Sequence, residues 1–227
     1  MKKNISGEYL LVVADGMGGH RKGEVASALT VTHLGKRFTE SASIGTKIDA
    51  VNWLSDNINE INREILDYGE KNENSKGLGT TVVAAIVTKE FLIFANIGDS
   101  SGYVMKNNKL HRVTKPHTLV NLLVDAGDLT EEQAKTHPKK NVLMKALGAA
   151  EKAEPDIFDV DNGSTEVFLC SDGVTSLLND DQIEKVLLET NLTVEEKVIK
   201  LIKKCNARGG TDNISIAYLV RERDDLA

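Results

Sequence analysis

The chain contains two kinds of hydrophobic pattern: short apolar runs bounded by glycine or polar residues, and longer segments of periodic hydrophobicity. The runs are rich in β-branched residues, which favours strands over helices. They predict strands over residues 9–14, 80–88, 91–97, 102–106, 167–170 and 214–220. Lys89 and Glu90 supply a hairpin turn and Asn107 and Asn108 a second turn. The strands over 80–106 are therefore predicted to be neighbours in one antiparallel meander.

Helical periodicity is clearest over residues 48–68, where apolar residues recur at spacings of three and four. This spacing predicts an amphipathic helix with one buried stripe. The stripe consists of Val51, Leu54, Ile58, Ile61 and Ile65. Further helices are predicted over 23–38, 119–126, 181–188 and 194–205, and another begins at Thr130, with Gln133 at the capping-box position.

The order of these elements predicts the fold class. Strands come in runs and helices in pairs, rather than in strict alternation, which favours an α+β fold with mostly antiparallel sheets packed against helices. The 227 residues are expected to form a single domain, 1–227, with a small helical insert at about 115–148. Hydrophobic residues make up 41% of the chain and aromatic residues only 4%, so the predicted core is aliphatic.

Charge and cysteine content exclude several function classes. The net charge is −6, with no basic block or stripe, so nucleic acid is not an expected partner. No stretch approaches the length of a membrane span, and the run over 9–14 is too short for a signal-peptide core, so we expect a cytoplasmic protein that does not bind membranes. Cys170 and Cys205 form neither a CxxC pair nor a zinc spacing.

Four aspartates share one setting at the predicted strand ends. Asp15, Asp99 and Asp172 follow apolar strands, Asp212 precedes one, and glycines surround all four. A sheet brings distant strand ends together, and nearby glycines allow a ligand to approach closely. Converging carboxylates repel one another unless a cation is bound, and Mg²⁺ and Mn²⁺ prefer oxygen ligands. Any single Asp-Gly pair is more often a simple turn, but four in matching contexts indicate a metal centre.

The ordered motifs resemble the protein phosphatase 2C (PPM) family, in its bacterial serine/threonine phosphatase branch. The motifs are Asp-Gly-Met-Gly-Gly-His from Asp15, Gly-Thr-Thr from Gly79, Gly-Asp-Ser from Gly98, Ser-Asp-Gly from Ser171 and Gly-Thr-Asp-Asn from Gly210. Each motif is weak alone, whereas the ordered set is specific. The resemblance implies two antiparallel sheets sandwiched between helical layers, with residues 115–148 as a flap beside the site. We use "flap" for these residues below.

The same resemblance implies a role for each site residue. Asp15 would bridge two ions, the Gly16 carbonyl would join the second, and Asp172 and Asp212 would complete the first. Asp99 and Asp172 resemble the ligands of a third, weaker ion. The implied cofactors are two Mn²⁺ or Mg²⁺ ions, which generate a bridging hydroxide that attacks phosphoserine or phosphothreonine. The implied partners are phosphorylated proteins, the substrates of a bacterial serine/threonine kinase, and we expect a monomer.

The chain departs from the family pattern at its N-terminus. Only residues 1–8 precede the first predicted strand, and the motif Arg-x-x-Asn-(Glu/Gln)-Asp, whose arginine binds the substrate phosphate, has no counterpart. Weaker phosphate binding, a weaker second metal site and an exposed sheet edge are therefore expected. No residue is assigned to substrate binding, although Lys2, Lys3 or Arg21 are candidates to replace the arginine.

Two alternatives stay open from the sequence. One is a catalytically impaired pseudophosphatase that acts as a phosphoprotein-binding or regulatory module. The other is a truncated chain or a misplaced coding start, which would explain the absent N-terminal motif. Manganese binding and turnover separate the module from an active enzyme.

Overall fold

The computed structural model describes residues 1–17, 20–72 and 77–221, without the side chains of residues 20–22. Its strands are β1 (Lys2–Lys3), β2 (Tyr9–Val13), β3 (Gly16–Met17), β4 (Gly79–Thr80), β5 (Val82–Val87), β6 (Leu92–Ile97), β7 (Ser101–Lys106), β8 (Lys109–Arg112), β9 (Asp156–Val160), β10 (Glu166–Cys170) and β11 (Ile216–Val220). Its helices are α1 (His20–Glu40), α2 (Lys47–Lys71), α3 (Leu119–Asp125), α4 (Glu131–Thr136), α5 (Asp172–Thr175), α6 (Asp180–Leu187) and α7 (Val194–Ala207).

Two antiparallel sheets form the centre of the molecule. One has five strands in the order β1-β2-β5-β6-β9, and the other has four in the order β11-β10-β7-β8. The short strands β3 and β4 pair separately. Helices α1 and α2 cover the first sheet, and α5, α6 and α7 lie against the second. The predicted α+β sandwich of two antiparallel sheets between helical layers is confirmed.

Three aliphatic layers hold this sandwich together. Between the sheets, side chains such as Leu11, Val83 and Leu169 are fully buried. The predicted stripe of the second helix lies in the outer layer against the first sheet, with Leu54, Ile58, Ile61 and Ile65 fully buried. Burying one such side chain stabilises the fold by roughly 1.5–3 kcal/mol, so these layers fix where the strand ends lie.

Helix starts follow the predicted capping chemistry. The hydroxyl of Thr130 accepts the backbone N–H of Gln133, and the Gln133 side chain accepts the backbone N–H of Thr130. Thr46 and Asp49 form the same reciprocal pair at the start of α2. Each cap satisfies two backbone donors that the helix leaves without an internal partner.

The predicted meander is wrong at its third strand. Strand β7 pairs with β10 in the second sheet and not with β6, although only Gly98, Asp99 and Ser100 separate β6 from β7. Gly98 has φ +105°, and a Cβ there would lie 2.6 Å from side-chain atoms of Thr81. This backbone shape, which favours glycine, turns the chain out of the first sheet, so that Asp99 lies in the crossing between the two sheets.

The outer strands are short or exposed. Lys2 and Lys3 form the edge strand β1 of the first sheet, and lysines at such positions discourage pairing with other chains. Strand β11 is an edge of the second sheet, and Val220 is 40% exposed. Among the described residues, no helix is long and apolar enough to cross a bilayer.

Candidate metal centre

The four predicted aspartates lie along one edge of the sandwich. Asp15 and Asp99 follow β2 and β6, whose ends Val13 and Ile97 flank the start of β5. Asp172 follows β10 and opens α5, while Asp212 precedes β11. Because the end of β10 pairs with the starts of β7 and β11, these ends share the same edge. The fold therefore brings residues from across the chain into one cluster.

The carboxyl groups of Asp15 and Asp172, which come from different sheets, lie close enough to interact directly. Partial burial and the negative charge of Asp172 raise the pKa of Asp15 to about 7. Asp212 and Asp99 add repulsion. Burial and the charge of Asp212 also raise the pKa of Asp172 above its ordinary value. Such shifts are what carboxylates show when they are crowded without a compensating cation.

Asp99 belongs to the same electrostatic cluster. Burial, followed by repulsion from Asp172 and Asp212, raises its pKa to about 6. Among the described side chains, no ion pair involves any of the four aspartates. A cation bound at such a cluster would remove both the repulsion and the desolvation cost.

Thr81 connects two of the aspartate loops. Its hydroxyl accepts the backbone N–H of Asp15 at 3.0 Å and shares a hydrogen bond with the hydroxyl of Ser100 at 2.8 Å. Its own backbone N–H donates to the Asp15 carbonyl at 2.8 Å. Thr81 and Ser100 are buried, so these bonds are protected from water. The loops that carry Asp15 and Asp99 are thus held together.

The backbone carbonyl of Gly16 takes no part in the pairing with Thr80. Gly16 faces Thr80 in the β3–β4 pair, but both backbone groups of Thr80 hydrogen-bond to Leu147, at 3.1 and 2.9 Å. Gly16 therefore occupies a non-hydrogen-bonded position, and its carbonyl points away from β4. A Cβ at Gly16 would lie 2.1 Å from the carbonyl oxygen of Gly23, so only glycine fits between this loop and α1.

A second set of contacts joins the loops of Asp172 and Asp212. The Ser171 hydroxyl donates to the Asn213 carbonyl at 2.9 Å and accepts the backbone N–H of Ser215 at 3.1 Å. A Cβ at Gly173 would lie 2.3 Å from the same Asn213 carbonyl. The loops are therefore in backbone contact, which requires glycine next to Asp172.

The donor chemistry fits hard divalent cations. Carboxylate oxygens and backbone carbonyl oxygens are the ligands that Mg²⁺ and Mn²⁺ prefer. Within the described ranges, no three His, Cys, Asp or Glu side chains already stand as ligands around one point. The contacts made by Thr81 and Ser171 nevertheless hold the aspartate loops together, and a bound cation would compete with the protons that the raised pKa values favour.

Proton release on metal binding tests this competition. Since the pKa of Asp15 is about 7 and that of Asp99 about 6, manganese binding at about pH 6 is expected to release more protons than at about pH 8. Both folded pKa values exceed the ordinary 3.8. The folded metal-free protein thus binds extra protons between about pH 4 and 7, and its stability falls as pH rises through that window. Calorimetry in two buffers of different ionisation enthalpy measures the protons released on manganese binding. Equal release at the two pH values contradicts the prediction.

One sequence-based interpretation is wrong, and another concerns a side chain outside the described residues. Lys2 and Lys3 pair with Leu10 and Tyr9, at the far end of β2 from Asp15. Six residues of extended chain place that end about 20 Å away, so the interpretation of either lysine as a replacement for the phosphate-binding arginine is wrong. The side chain of Arg21 lies outside the described residues.

Known proteins match the chain over most of its length. A family model described as "Protein phosphatase 2C" matches residues 2–208. The chain belongs to the protein phosphatase 2C family. The predicted resemblance is thereby confirmed, and the chain is a protein phosphatase.

Relatives and solved structures of this phosphatase agree with that assignment. A "Serine/threonine phosphatase stp" of Listeria monocytogenes is 40% identical over 223 residues, which cover 98% of the chain and 87% of the relative. The crystal structure of the serine/threonine phosphatase Stp1 from Staphylococcus aureus superposes with a TM-score of 0.90 at 35% identity, covering 97% of this chain and 87% of that one. The predicted function, a serine/threonine protein phosphatase, is confirmed.

Metal dependence is supported by a further structure. The catalytic domain of the phosphatase PstP "in complex with 2 Manganese ions" is similar, with a TM-score of 0.78, 31% identity and coverage of 92% of this chain and 86% of that one. Nothing in these matches favours the pseudophosphatase alternative.

Proposed function

We propose that this phosphatase hydrolyses phosphoserine and phosphothreonine in proteins, with two divalent cations held at the sandwich edge. Asp15 would contact both cations, the Gly16 carbonyl would contact one, and Asp172 and Asp212 would complete the other. Asp99 and Asp172 would hold a third, weaker ion. We propose Mn²⁺ or Mg²⁺ as the ions, because the donors are all oxygen.

One observation carries this proposal. Asp15 and Asp172 come from different sheets, yet their carboxyl groups lie close enough to interact directly, with Asp99 and Asp212 close enough to repel them. Crowding of carboxylates reduces the stability of the fold. The hydrogen bonds of Thr81 and Ser171 nevertheless hold the loops, and with them the carboxylates, in this crowded arrangement. A fold that holds unfavourable charges together in this way favours a ligand-binding role for them.

The protein's own groups would position and orient the reaction. Bound cations of this kind lower the pKa of water and offset negative charge on phosphoryl oxygens. Asp15, once ionised, would orient its two oxygens towards both cations, because its backbone is fixed on both sides by Thr81. Asp172 would be aimed from the first turn of α5, and Asp212 from the loop that Ser171 holds. No side chain is required as the nucleophile.

Residues 1–227 are proposed to act as one catalytic domain with the flap beside the metal centre. The flap joins β8 to β9, carries α3 and α4, and contacts β4 through Leu147. This placement supports a role in contacting the phosphorylated substrate. The relatives' names, which call them serine/threonine phosphatases, support phosphoproteins as substrates. We propose that a bacterial serine/threonine kinase phosphorylates these substrates.

A manganese-dependent assay tests the proposed function. The purified chain is expected to hydrolyse p-nitrophenyl phosphate and a phosphothreonine peptide with added Mn²⁺, and to lose both activities with excess chelator. Calorimetric titration with Mn²⁺ is the companion measurement, and two tight sites are expected. One weak site without turnover contradicts the enzyme and supports a binding module.

A further inference from the structure

His117 connects the flap to the loop that carries Asp99. The backbone N–H of His117 donates to the Gly98 carbonyl at 2.9 Å, and the backbone N–H of Gly98 donates to His117 Nδ1 at 3.1 Å. The imidazole is thus hydrogen-bonded to Gly98, the residue that immediately precedes Asp99. Its side chain is only 10% exposed, so water does not readily replace this acceptor.

The other ring nitrogen fixes the imidazole in place. Nε2 lies 3.0 Å from Asp156 Oδ2. Because Nδ1 accepts the Gly98 N–H, the ring hydrogen of the neutral form is on Nε2, which donates to Asp156. Asp156 also contacts Lys145 at 3.3 Å. This arrangement, a histidine oriented by a carboxylate, resembles the outer-shell groups that orient metal ligands.

On its other side, His117 belongs to the base of the flap. The His117 carbonyl accepts the backbone N–H of Met144 at 2.8 Å, and the Val142 carbonyl accepts that of Leu119 at 2.9 Å. The two ends of the flap therefore meet next to His117.

The contact continues from Gly98 into the metal centre. Gly98 has φ +105°. Two residues further on, the hydroxyl of Ser100 is hydrogen-bonded to the hydroxyl of Thr81. Thr81 in turn holds the backbone of Asp15. Hydrogen bonds, together with the backbone from Gly98 to Ser100, thus connect the flap base through His117 to the loops of Asp99 and Asp15.

We propose that His117 is a positioning residue that locks the Asp99 loop to the flap and so sets the affinity of the metal ion at Asp99. It touches no reacting atom. Its loss would leave the Gly98 N–H without its acceptor in a mostly buried place, and the loop would move to satisfy it. The expected consequence is weaker metal binding and a more mobile flap, with the chemical step itself largely preserved at saturating metal.

Substitution with a matched control tests this role. His117→Ala is expected to weaken the affinity of one Mn²⁺ site about 10-fold or more, since outer-shell changes typically cost 10–100-fold in metal affinity. Hydrogen exchange of the flap amides is expected to rise. His117→Asn supplies an amide oxygen where Nδ1 was and is expected to restore most of the affinity. His111→Ala removes an exposed histidine on β8 and is expected to leave both readouts unchanged.

The outcomes separate this role from general stability and from the proposed function. Because this inference rests on the proposed function, the wild type is titrated first, and absence of Mn²⁺ binding there contradicts that function. If the wild type binds but His117→Ala binds equally well at every site, His117 is not a positioning residue. Equal weakness of the Asn and Ala variants also overturns the proposal. Should His117→Ala fail to fold, Asp156→Asn replaces it as the test, because this variant leaves Nδ1 in place but weakens the orientation of the ring. Asp156→Asn is expected to lower the Mn²⁺ affinity of the same site by a smaller factor. An unchanged affinity overturns the proposal.

Discussion

Replacing Asp172 with asparagine is expected to lower metal-dependent phosphatase activity at least about 100-fold while making the metal-free protein more stable. The activity falls because Asp172 is proposed as a ligand, and even an outer-shell change reduces metal affinity by roughly 10–100-fold. The stability rises because Asp172 is the strongest charged neighbour of both Asp15 and Asp99. Removing one of two unit charges about 4 Å apart in water relieves about 1 kcal/mol. Initial rates with Mn²⁺ and thermal unfolding with chelator at about pH 7 measure the two effects.

The opposite signs of these effects distinguish a metal ligand from a structural residue. A residue needed mainly for folding would lose activity and stability together. Asp67→Asn, which removes an exposed carboxylate on α2, is the matched control and is expected to change neither quantity measurably. Unchanged activity in Asp172→Asn, with chelator or without, would falsify the proposed ligand role.

The elements of the fold were predictable because their signals are local. The stripe that includes Leu54 and Ile58 and the capping pair of Thr130 and Gln133 depend on neighbours three or four residues away. Strand β9 was not predicted, because its five residues mix two aspartates with three apolar residues without strict alternation and are only partly buried. Its pairing with β6 is a contact between distant parts of the chain, which local patterns do not contain.

The partition of strands between the two sheets was not predictable in the same way. The short link through Gly98 is compatible with a hairpin in one sheet, and only the positive φ and the contact with Thr81 direct β7 to the other sheet. The choice is decided by packing of the layers against each other. Sequence alone therefore indicated that Asp99 lies at a strand end, but not that it lies between the sheets.

The aspartates were easier to find than the groups that position them. Their setting at strand ends beside glycines is visible in the sequence, and sheets bring such ends together. His117 had no comparable signal, because a single histidine carries no ligand spacing and its partners Gly98 and Asp156 are 19 and 39 residues away along the chain. Thr81 and Ser171 lie within the family-like motifs, yet their hydrogen bonds between loops became visible only in three dimensions.

Replacing Gly173 with alanine is expected to be among the most damaging changes of a single methyl group in this protein. The added Cβ would lie 2.3 Å from the Asn213 carbonyl oxygen and 3.0 Å from its carbon, so backbone must move. Overpacking of this kind typically costs about 1–3 kcal/mol of stability. The movement separates the loops of Asp172 and Asp212, so Mn²⁺ affinity and activity at limiting Mn²⁺ are expected to fall about 10-fold or more, as for other changes near metal ligands.

The comparison with Gly163→Ala isolates the effect of this contact. A Cβ at Gly163 would lie 3.6 Å from the nearest atom, a carboxylate oxygen of Asp161, which is ordinary contact. That variant is expected to keep wild-type stability and metal affinity within about 0.5 kcal/mol, because it adds a methyl group away from any special contact. Denaturant unfolding and Mn²⁺ titration measure both variants. If Gly173→Ala matched Gly163→Ala in both stability and Mn²⁺ affinity, the backbone contact between the two loops would not be what holds Asp172 and Asp212 together. The hydrogen bonds of Ser171 alone would then have to hold the two loops together.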